Sequence, residues 1–564
     1  MQNANNRSNI INLPFIDYII KMYAPGILTD TKKYENIRMG LFRQAMMHSS
    51  TCTKQTDLSY ERFEYLGDAI FHMIITEYLY KRYDDEQIGF LTKLRIKIER
   101  GESMAELTNI LQLDQYIQYH NIYLNDHILE DVFEAFIGAF YLNFGIGHTR
   151  DFIIQLLEHH KDFAVMIAYD DNYKDILLQY FHKIKWGYPK YTEGTVCSGN
   201  QSQFSNVHQS QFSDPSQIRK YVSIVKNPFG KVLGKGVASS KKKAEQLASK
   251  NALISVGVIL NDSIDPNWII TIEAKLTAET ETDTKLNSKS EKTLLEDENK
   301  LSVYNPNNVL MKKDDIKSIL NMYNVPYPKN IKTNFKIFHE AMTHKSYIKR
   351  KNLTPKDKLS AKTSVALQRR SNERLQFLGD AIIHFIIGEH LFNKYTDKDE
   401  GFMTRLRCKL ENRDSLFYLA KQINIDKYIL LSQNIDVLYG NRNNINIVGG
   451  GLEAFVGALY LEFGLGPARE FILEVIRAEL DIDKIAENET NYKEIISQIY
   501  VKNRWGYPVY RILKEEGPDH AKIFTMGLYY DGKLMTWGKA KSKKKAEQIA
   551  SKKMHKLLQD QGII

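Results

Sequence analysis

Apolar side chains recur at helical spacing, three and four residues apart, from about Leu41 to His159. Phe42, Ala45 and Met46 open this series, and the apolar stretch Asp131–Phe144 lies near its end. In this part of the sequence, apolar and polar residues do not alternate as they would along strands. The pattern predicts an α-helical bundle for residues 1–165.

The pattern changes between residues 172 and 256. A helix-like stretch from Tyr173 to Lys185 leads into short β-rich runs, and a second helix-like stretch runs from Ser240 to Val256. Helix, three strands, helix is an α+β (α-β-β-β-α) plan. Residues 488–564 repeat this plan, with Asp531-Gly532 as a hairpin signal between two strands.

The helical part and the α+β part both occur twice along the sequence, so we expect a multidomain chain duplicated in tandem. The nine residues from Glu61 to Ala69 (ERFEYLGDA) return as ERLQFLGDA from Glu373 to Ala381. Between the copies, residues 277–300 are mostly Thr, Glu, Lys, Ser and Asp, which predicts a flexible linker. The predicted domains are helical at 1–165, α+β at 170–260 with a Ser/Gln-rich insertion at 198–214, linker at 261–305, helical at 306–487 and α+β at 488–564.

Charge and cysteine content narrow the class of protein. The 564 residues include 77 Lys and Arg against 68 Asp and Glu, a net charge of +9. Ten lysines lie between Gly517 and Lys556, where a polyanion could be held. The 3 cysteines are too few and too scattered for a disulfide framework, and we identify neither a signal peptide nor a membrane span. We therefore expect an intracellular protein, cytoplasmic or nuclear, with no membrane partner.

Two pairs of acids are candidates for a metal site. Glu64 and Asp68 lie at i, i+4, and Asp131 and Glu134 lie at i, i+3, so each pair shares one helix face. Apolar neighbours such as Phe63 make a solvated acidic face the less favoured interpretation. Carboxylates about 5 Å apart repel by about 3 kcal/mol at an effective dielectric constant of about 20, unless they are protonated or bind a cation. Oxygen ligands favour Mg²⁺ or Mn²⁺.

The stretch from Glu61 to Ala69 strongly resembles the nine-residue signature of the ribonuclease III family, and Asp131-Val-Phe-Glu134 resembles its second acidic motif. The resemblance implies an all-α nuclease domain that cuts double-stranded RNA with a divalent metal and works in pairs. By position it implies that the catalytic metal ligands are Glu64, Asp68, Asp131 and Glu134. It also places Tyr65 and Phe377 at an aromatic position of the pairing contact.

The basic helix start Ser542-Lys-Lys-Lys545, together with the segment from Gly517 to Phe524, resembles the double-stranded RNA-binding domain. The resemblance implies contacts to phosphates and to the minor groove, with little reading of base sequence. By position, the RNA-facing residues are Gln498, His520, Lys543 and Lys544 in the second copy and Gln179, Lys241 and Lys242 in the first. The first copy has Asp214-Pro-Ser-Gln217 in place of Gly-Pro-Asp-His, so we expect weaker or altered binding there.

The second copy departs from the first at the acidic positions. The four corresponding residues are Gln376, Asp380, Gly450 and Glu453. Two anionic ligands are lost, which should weaken Mg²⁺ binding severely. We therefore predict an inactive nuclease domain that serves as a pairing partner. An alternative stays open, in which extra residues after Asn434 carry Asp436 towards the site.

These residues predict an endoribonuclease that hydrolyses double-stranded RNA with Mg²⁺, for which Mn²⁺ can substitute. Pairing of the two nuclease domains within one chain leaves one competent centre and predicts nicking of one strand. A homodimer through the first copies would bring two competent centres together and cut both strands. Two alternatives are non-catalytic: a protein that sequesters double-stranded RNA, and a structural component of a ribonucleoprotein.

Overall fold

A computed structural model of the chain describes residues 9–52, 58–168, 173–196, 220–238, 240–260, 263–264, 302–328, 334–350, 353–438, 441–489, 492–517 and 522–563. The insertion expected at 198–214 and most of the linker expected at 261–305 lie outside the described residues. The chain divides into two compact units, one formed by Met1–Leu156 with Leu301–Ile564 and the other by Leu157–Lys300.

The first helical domain is organised around two long helices, α4 and α7. Its helices are α1 (Leu13–Tyr23), α2 (Thr31–Glu35), α3 (Met39–Ala45), α4 (Glu61–Arg82), α5 (Ile88–Ile98), α6 (Gly101–Ile110) and α7 (Asp126–His160). Phe42 of α3 packs on Phe136 of α7, which also contacts Phe152 further along the same helix. Gly145 has a φ of 77°, so it breaks α7 into two segments. The predicted helical bundle is confirmed.

The unit Leu157–Lys300 contains an α+β domain. Its elements are α8 (Phe163–Ala168), α9 (Tyr173–Lys183), β1 (Lys190–Val196), β2 (Lys220–Lys226), β3 (Val232–Ala238), α10 (Lys241–Ser255), β4 (Ile259–Leu260) and β5 (Ser263–Ile264). β1, β2 and β3 form an antiparallel sheet in sequence order. Leu177, Phe181 and Leu253 join both helices to the sheet in one buried cluster. The predicted α-β-β-β-α plan is confirmed, with a small hairpin of β4 and β5 added.

The second helical domain repeats the first and adds a helix. Its helices are α11 (Lys313–Met322), α12 (Phe335–Ala341), α13 (Pro355–Ser360), α14 (Glu373–Lys394), α15 (Glu400–Leu410), α16 (Arg413–Gln422), α17 (Ile445–Phe463), α18 (Leu465–Glu479) and α19 (Ile482–Glu489). The added helix α13 is held by Asp357, which accepts hydrogen bonds from Ser302 at 2.7 Å and from Thr354 at 2.8 Å. α14 and α17 are apolar and long enough to span a membrane, but in each the apolar window is 67% buried inside the protein, as in a core helix.

The last domain is a second α+β domain. It consists of α20 (Tyr492–Lys502), β6 (Val509–Glu516), β7 (Ile523–Tyr530), β8 (Lys533–Ala540) and α21 (Lys543–Asp560). The three strands are antiparallel in sequence order. Asp531 and Gly532 both have positive φ, 47° and 73°, as the tight turn between β7 and β8 requires. Ser542 caps α21 by accepting a hydrogen bond from the Lys545 amide at 3.3 Å.

The two helical domains pack against each other through α4 and α14. Arg62 in the first turn of α4 binds carbonyl oxygens at the end of α14, and Arg374 in the first turn of α14 binds carbonyl oxygens at the end of α4. The two helices are therefore antiparallel. The rings of His72 and His384 lie 5.4 Å apart within this contact. Residues related by the repeat thus make the same contacts twice, as across a twofold axis.

Candidate active site

A close crossing of α4 and α7 sets the acidic positions. A Cβ atom on Gly67 would lie 1.8 Å from the carbonyl oxygen of Glu134, and one on Gly138 would lie 2.4 Å from that of Phe63. A side chain fits at neither glycine, so the two backbones touch there. The crossing brings the acids of the Glu61–Ala69 stretch next to those of α7. This is the physical reason for glycine within the signature.

The structure brings the four predicted acids together at this crossing. Glu134 is buried, with 9% of its surface exposed. Burial raises the pKa of Glu134 well above its ordinary value, and the charges of Asp68 and Glu64 raise it further. Burial, followed by the charge of Asp131, raises the pKa of Glu64 to about 9. These shifts reflect the burial of Glu64 and Glu134 and the negative charges of the neighbouring acids.

Two of these acids lack a neutralising partner. Within the described residues, Glu64 and Glu134 make no ion pair and no side-chain hydrogen bond. Glu134 is buried and Glu64 is half-buried, and a buried carboxylate without a partner costs several kcal/mol unless it takes up a proton or a cation. The donor set is carboxylate oxygen, which hard divalent cations prefer. The donor chemistry therefore suits a divalent metal ion, and among the described residues the ligand atoms that lie within 4.8 Å of one another are those of His127, Glu130 and Asp131.

Asp68 is held from the second helical domain. Its Oδ2 lies 3.7 Å from Nε2 of His384 and 3.5 Å from Nη2 of Arg407. Burial alone would raise the pKa of Asp68, but the hydrogen bond and charge of His384, with the charge of Arg407, lower it overall. The second domain thus keeps this carboxyl ionised, which is the form that binds a metal.

Sequence reasoning missed four neighbours of the acidic cluster: Tyr60, His127, Glu130 and Glu400. Tyr60 donates a hydrogen bond to Oδ2 of Asp131 at 3.3 Å, and Nδ1 of His127 lies 3.1 Å from its Oδ1. Glu400, from the second domain, raises the pKa of both Glu64 and Asp131 by its charge. The i, i+4 spacing of His127 and Asp131 could have revealed the contact between these two residues. No sequence signal reveals Glu400, because its proximity depends on how the domains pair.

The raised pKa values predict an effect of pH on stability. A carboxyl whose pKa is raised by folding costs nothing well below its ordinary pKa of 4.5, where it is protonated in both states. The cost grows with pH up to the folded pKa, about 9 for Glu64. We therefore expect the metal-free protein to lose stability from about pH 5 to about pH 9, and Mg²⁺ to stabilise it more at high pH.

Thermal unfolding with EDTA or with Mg²⁺ measures this effect. The rise in melting temperature caused by Mg²⁺ should be larger at about pH 8.5 than at about pH 6. In the Glu134→Gln variant, which lacks one titrating carboxyl, the difference between the two pH values should shrink. An equal Mg²⁺ effect at both pH values in the unmodified protein would contradict the assignment.

The corresponding site of the second copy has a different arrangement. Its helices cross in the same way, because a Cβ on Gly379 would lie 1.8 Å from the carbonyl oxygen of Glu453. A Cβ on Gly450 would lie 2.7 Å from Nε2 of Gln376, so the amide side chain covers the place of the missing carboxylate. Burial, followed by the charge of Asp380, raises the pKa of Glu453 to about 8. Among the described residues, the acids that meet at this crossing are Asp380 and Glu453.

Asp436 does not fill the gap in the second copy. Its Oδ2 accepts a hydrogen bond from Asn305 at 2.7 Å and one from Nε of Arg442 at 3.0 Å. Arg442 also binds the carbonyl oxygens of Asp426 and Ile429. The carboxylate is therefore committed to a structural network.

The residues expected to face RNA lie on the α+β domains. Lys241 and Lys242 begin α10 and are exposed, as are Lys543 and Lys544 at the start of α21. Gln179 lies on α9, where its Nε2 donates to Asp175 at 3.0 Å. Gln498 lies on α20. His520 and the segment Asp214–Gln217 lie outside the described residues. In each domain, exposed lysines lie at the start of a helix, an arrangement suited to phosphate.

Three family models match the chain. The ribonuclease III domain matches residues 61–145, and the ribonuclease-III-like model matches residues 334–480. The double-stranded RNA binding motif matches residues 173–256 and 492–558. These ranges fall on the two helical domains and the two α+β domains. Each copy therefore matches a ribonuclease III-type model followed by the double-stranded RNA binding motif.

One relative matches almost the whole chain, and others match one part of it. The chain is 58% identical over 551 residues to the "Probable ribonuclease 3" of Acanthamoeba polyphaga mimivirus. The aligned region covers 98% of this chain and 97% of that protein. The "Ribonuclease 3" of Syntrophomonas wolfei is 34% identical over 230 residues, 41% of this chain and 89% of that one. The solved nuclease domain of ribonuclease III from Campylobacter jejuni is 28% identical, with a TM-score of 0.24 over 30% of this chain and 98% of that one. The chain therefore belongs to the ribonuclease III family and is an endoribonuclease that acts on double-stranded RNA.

Proposed function

We propose that the acidic cluster of the first copy, formed by Glu64, Asp68, Asp131 and Glu134, is the single catalytic centre of this endoribonuclease. The family depends on divalent metal in general, and for this chain we propose one or two Mg²⁺ ions, for which Mn²⁺ can substitute. The observation that carries the proposal is the pair of acids without partners, Glu64 and Glu134, at the closest approach of α4 and α7. Magnesium suits this set because its ligands are hard oxygens.

Each side chain of the cluster has a distinct part in this proposal. A bound divalent metal supplies an activated water and stabilises the negative charge that develops on the phosphodiester oxygens. Glu134 and Glu64 offer carboxylates with no competing protein cation. Asp131 is oriented by the Tyr60 hydroxyl, and Asp68 is kept ionised by the second domain. The cluster thereby combines two free ligands with two positioned ones.

We propose that the second nuclease domain is a non-catalytic partner of the first within the same chain. At its acidic positions Gln376 and Gly450 provide no negative charge. Its contribution is made across the contact, where His384 and Arg407 hold Asp68. The aromatic positions take part in the same way: Arg407 lies 4.6 Å from the ring centre of Tyr65, and Arg95 lies 4.5 Å from that of Phe377.

Two non-reciprocal contacts favour pairing within the chain over a homodimer of first copies. Arg370 forms two hydrogen bonds with Asp84, at 2.9 and 3.2 Å, whereas the first copy has Leu58 at the position of Arg370. The first copy also has Ile88 at the position of Glu400. A homodimer of first copies would lose both the ion pair and the second domain's carboxylate beside the cluster.

The α+β domains bind the duplex in this proposal. We assign phosphate contacts to Lys543 and Lys544 and to their counterparts Lys241 and Lys242, and minor-groove contacts to Gln498, His520 and Gln179. The exposed lysines at two helix starts support the assignment. In the first copy the departure at Asp214–Gln217 supports weaker binding.

A metal titration without RNA tests the proposal. Calorimetry or Mn²⁺ paramagnetic resonance on the full chain should detect binding that is lost in Glu134→Gln. The matched variant Glu453→Gln changes the residue at the equivalent crossing of the second copy and should bind metal like the unmodified protein. Loss of binding in Glu453→Gln, or retention in Glu134→Gln, would contradict a metal site confined to the first copy.

A further inference from the structure

The second helical domain contains a basic cavity away from its acidic positions. The cavity has a volume of about 680 Å³ and lies between α12 and the segment that precedes α14. Its ionisable lining residues are Lys336, His339, Glu340, Lys349, Arg369 and Arg370. With histidine neutral, four cations face one acid. The cavity therefore carries an excess of positive charge.

Most of this charge is unneutralised. Within the described residues, Lys336, Lys349 and Arg369 make no ion pair and no side-chain hydrogen bond. The fourth cation, Arg370, is paired with Asp84. Clustered cations without counter-charges repel one another, and an anion between them relieves that repulsion.

The backbone holds two of these cations side by side. The Lys349 amide donates to the carbonyl oxygen of Gln368 at 2.9 Å, and the Gln368 amide donates to that of Tyr347 at 3.2 Å. Tyr347 and Leu367 are buried beneath this bridge. The backbones of the two adjoining residues, Lys349 and Arg369, are therefore fixed on one wall of the cavity, and their exposed side chains extend from it.

The cationic character belongs to the second copy. Aligning Phe42–Ala45 with Phe338–Ala341 puts Gly40 at the position of Lys336. Aligning Arg62 with Arg374 puts Asp57 and Leu58 at the positions of Arg369 and Arg370. The domain that lost two carboxylates thus carries positive charges that the first domain lacks. Maintaining the shared fold does not require them.

The lining also indicates the kind of anion. Ligand pockets of this size that hold a planar base usually have aromatic or extensive apolar lining. Among the described residues, no Phe, Tyr or Trp lines the cavity and Leu367 is its one aliphatic residue. Lysine and arginine side chains recognise phosphate oxygens. We propose that this cavity binds phosphate groups of the duplex RNA substrate, so that the second nuclease domain contributes an RNA contact as well as a pairing surface.

RNA binding by a triple variant tests this proposal. The full chain carrying Glu134→Gln keeps the RNA intact, which separates this test from the metal assignment. Adding Lys336→Gln, Lys349→Gln and Arg369→Gln should lower duplex affinity by at least about tenfold and reduce the slope of log affinity against log salt by about 2 to 3. The matched control replaces three exposed lysines of the same domain, Lys313, Lys427 and Lys484, and should change the slope by less than about 1.

Lysine footprinting gives a second readout at the cavity itself. Duplex RNA should protect Lys336 and Lys349 from acylation, as detected by mass spectrometry. Comparing 5′-phosphorylated with 5′-hydroxyl duplexes assigns the protection to a terminal or a backbone phosphate. An unchanged salt slope, an equal loss in the control triple, or protection by inorganic pyrophosphate and not by RNA would overturn the proposal.

Discussion

Replacement of Glu134 by glutamine is expected to lower the rate of duplex RNA cleavage by at least about a thousandfold, which corresponds to about 4 kcal/mol of transition-state stabilisation. The change keeps the size of the side chain and removes the charge at the focus of the cluster. Since folding raises the pKa of Glu134 well above its ordinary value, the same change should leave the stability of the metal-free protein equal or higher. The variant should therefore lose cleavage activity without losing stability.

Glu453→Gln is the matched control for this prediction. Glu453 occupies the equivalent crossing and its pKa is also raised, to about 8, chiefly by burial. We expect its cleavage rate to stay within about twofold of the unmodified protein, because the second site has two of the four carboxylates and should bind Mg²⁺ much more weakly than the first. The measurement is single-turnover cleavage of a labelled duplex at saturating Mg²⁺. Comparable losses in both variants would show that the second site participates in catalysis.

Replacing both Arg62 and Arg374 by alanine is expected to separate the two nuclease domains. Arg62 donates to the carbonyl oxygens of Phe392 at 2.9 Å and Tyr395 at 2.8 Å, and Arg374 donates to those of Tyr80 at 2.8 Å and Tyr83 at 2.9 Å. Hydrogen bonds from charged donors contribute about 1.5 to 3 kcal/mol each. Loss of one arginine should therefore weaken pairing by at least about 3 kcal/mol, or about a hundredfold.

Separation should reduce cleavage as well, because Asp68 loses His384 and Arg407. Energy transfer between fluorophores on the two nuclease domains measures the pairing, and duplex cleavage measures the consequence. Arg477→Ala is the control, since it removes an exposed ion pair to Glu474 within α18 that is worth less than about 1 kcal/mol. Full pairing and full activity in the double alanine variant would contradict the proposed role of the second domain.

The helices, the repeat and the convergence of four acids could be predicted from the sequence. Each depends on local spacing: Glu64 and Asp68 fall on one face of a helix whatever the helix packs against. Gly67, in contrast, is explained by the structure alone, because a Cβ there would meet the backbone of Glu134 on another helix. The absence of carboxylates at Gln376 and Gly450 can be predicted too, because the repeat aligns these residues with Glu64 and Asp131.

The contacts between domains could not be predicted in this way. Asp68 and His384 are more than 300 residues apart, and their contact depends on how two folded surfaces pack. The same holds for Glu400 beside the acidic cluster. Asp436 shows a second limit. The composition of an inserted segment does not reveal which residues its side chains contact, and here the carboxylate of Asp436 is bound by Asn305 and Arg442. Cavities such as the one beside Arg369 likewise form only when distant segments meet.

The number of strands cut in one encounter tests the central claim most directly. A long perfect duplex carries a different fluorophore on each strand, and excess unlabelled duplex traps enzyme that dissociates. A chain with one competent centre should nick either strand, while the duplex stays full length on a native gel. Double-strand breaks that appear as fast as the first nick would contradict the account, because they require two competent centres acting together.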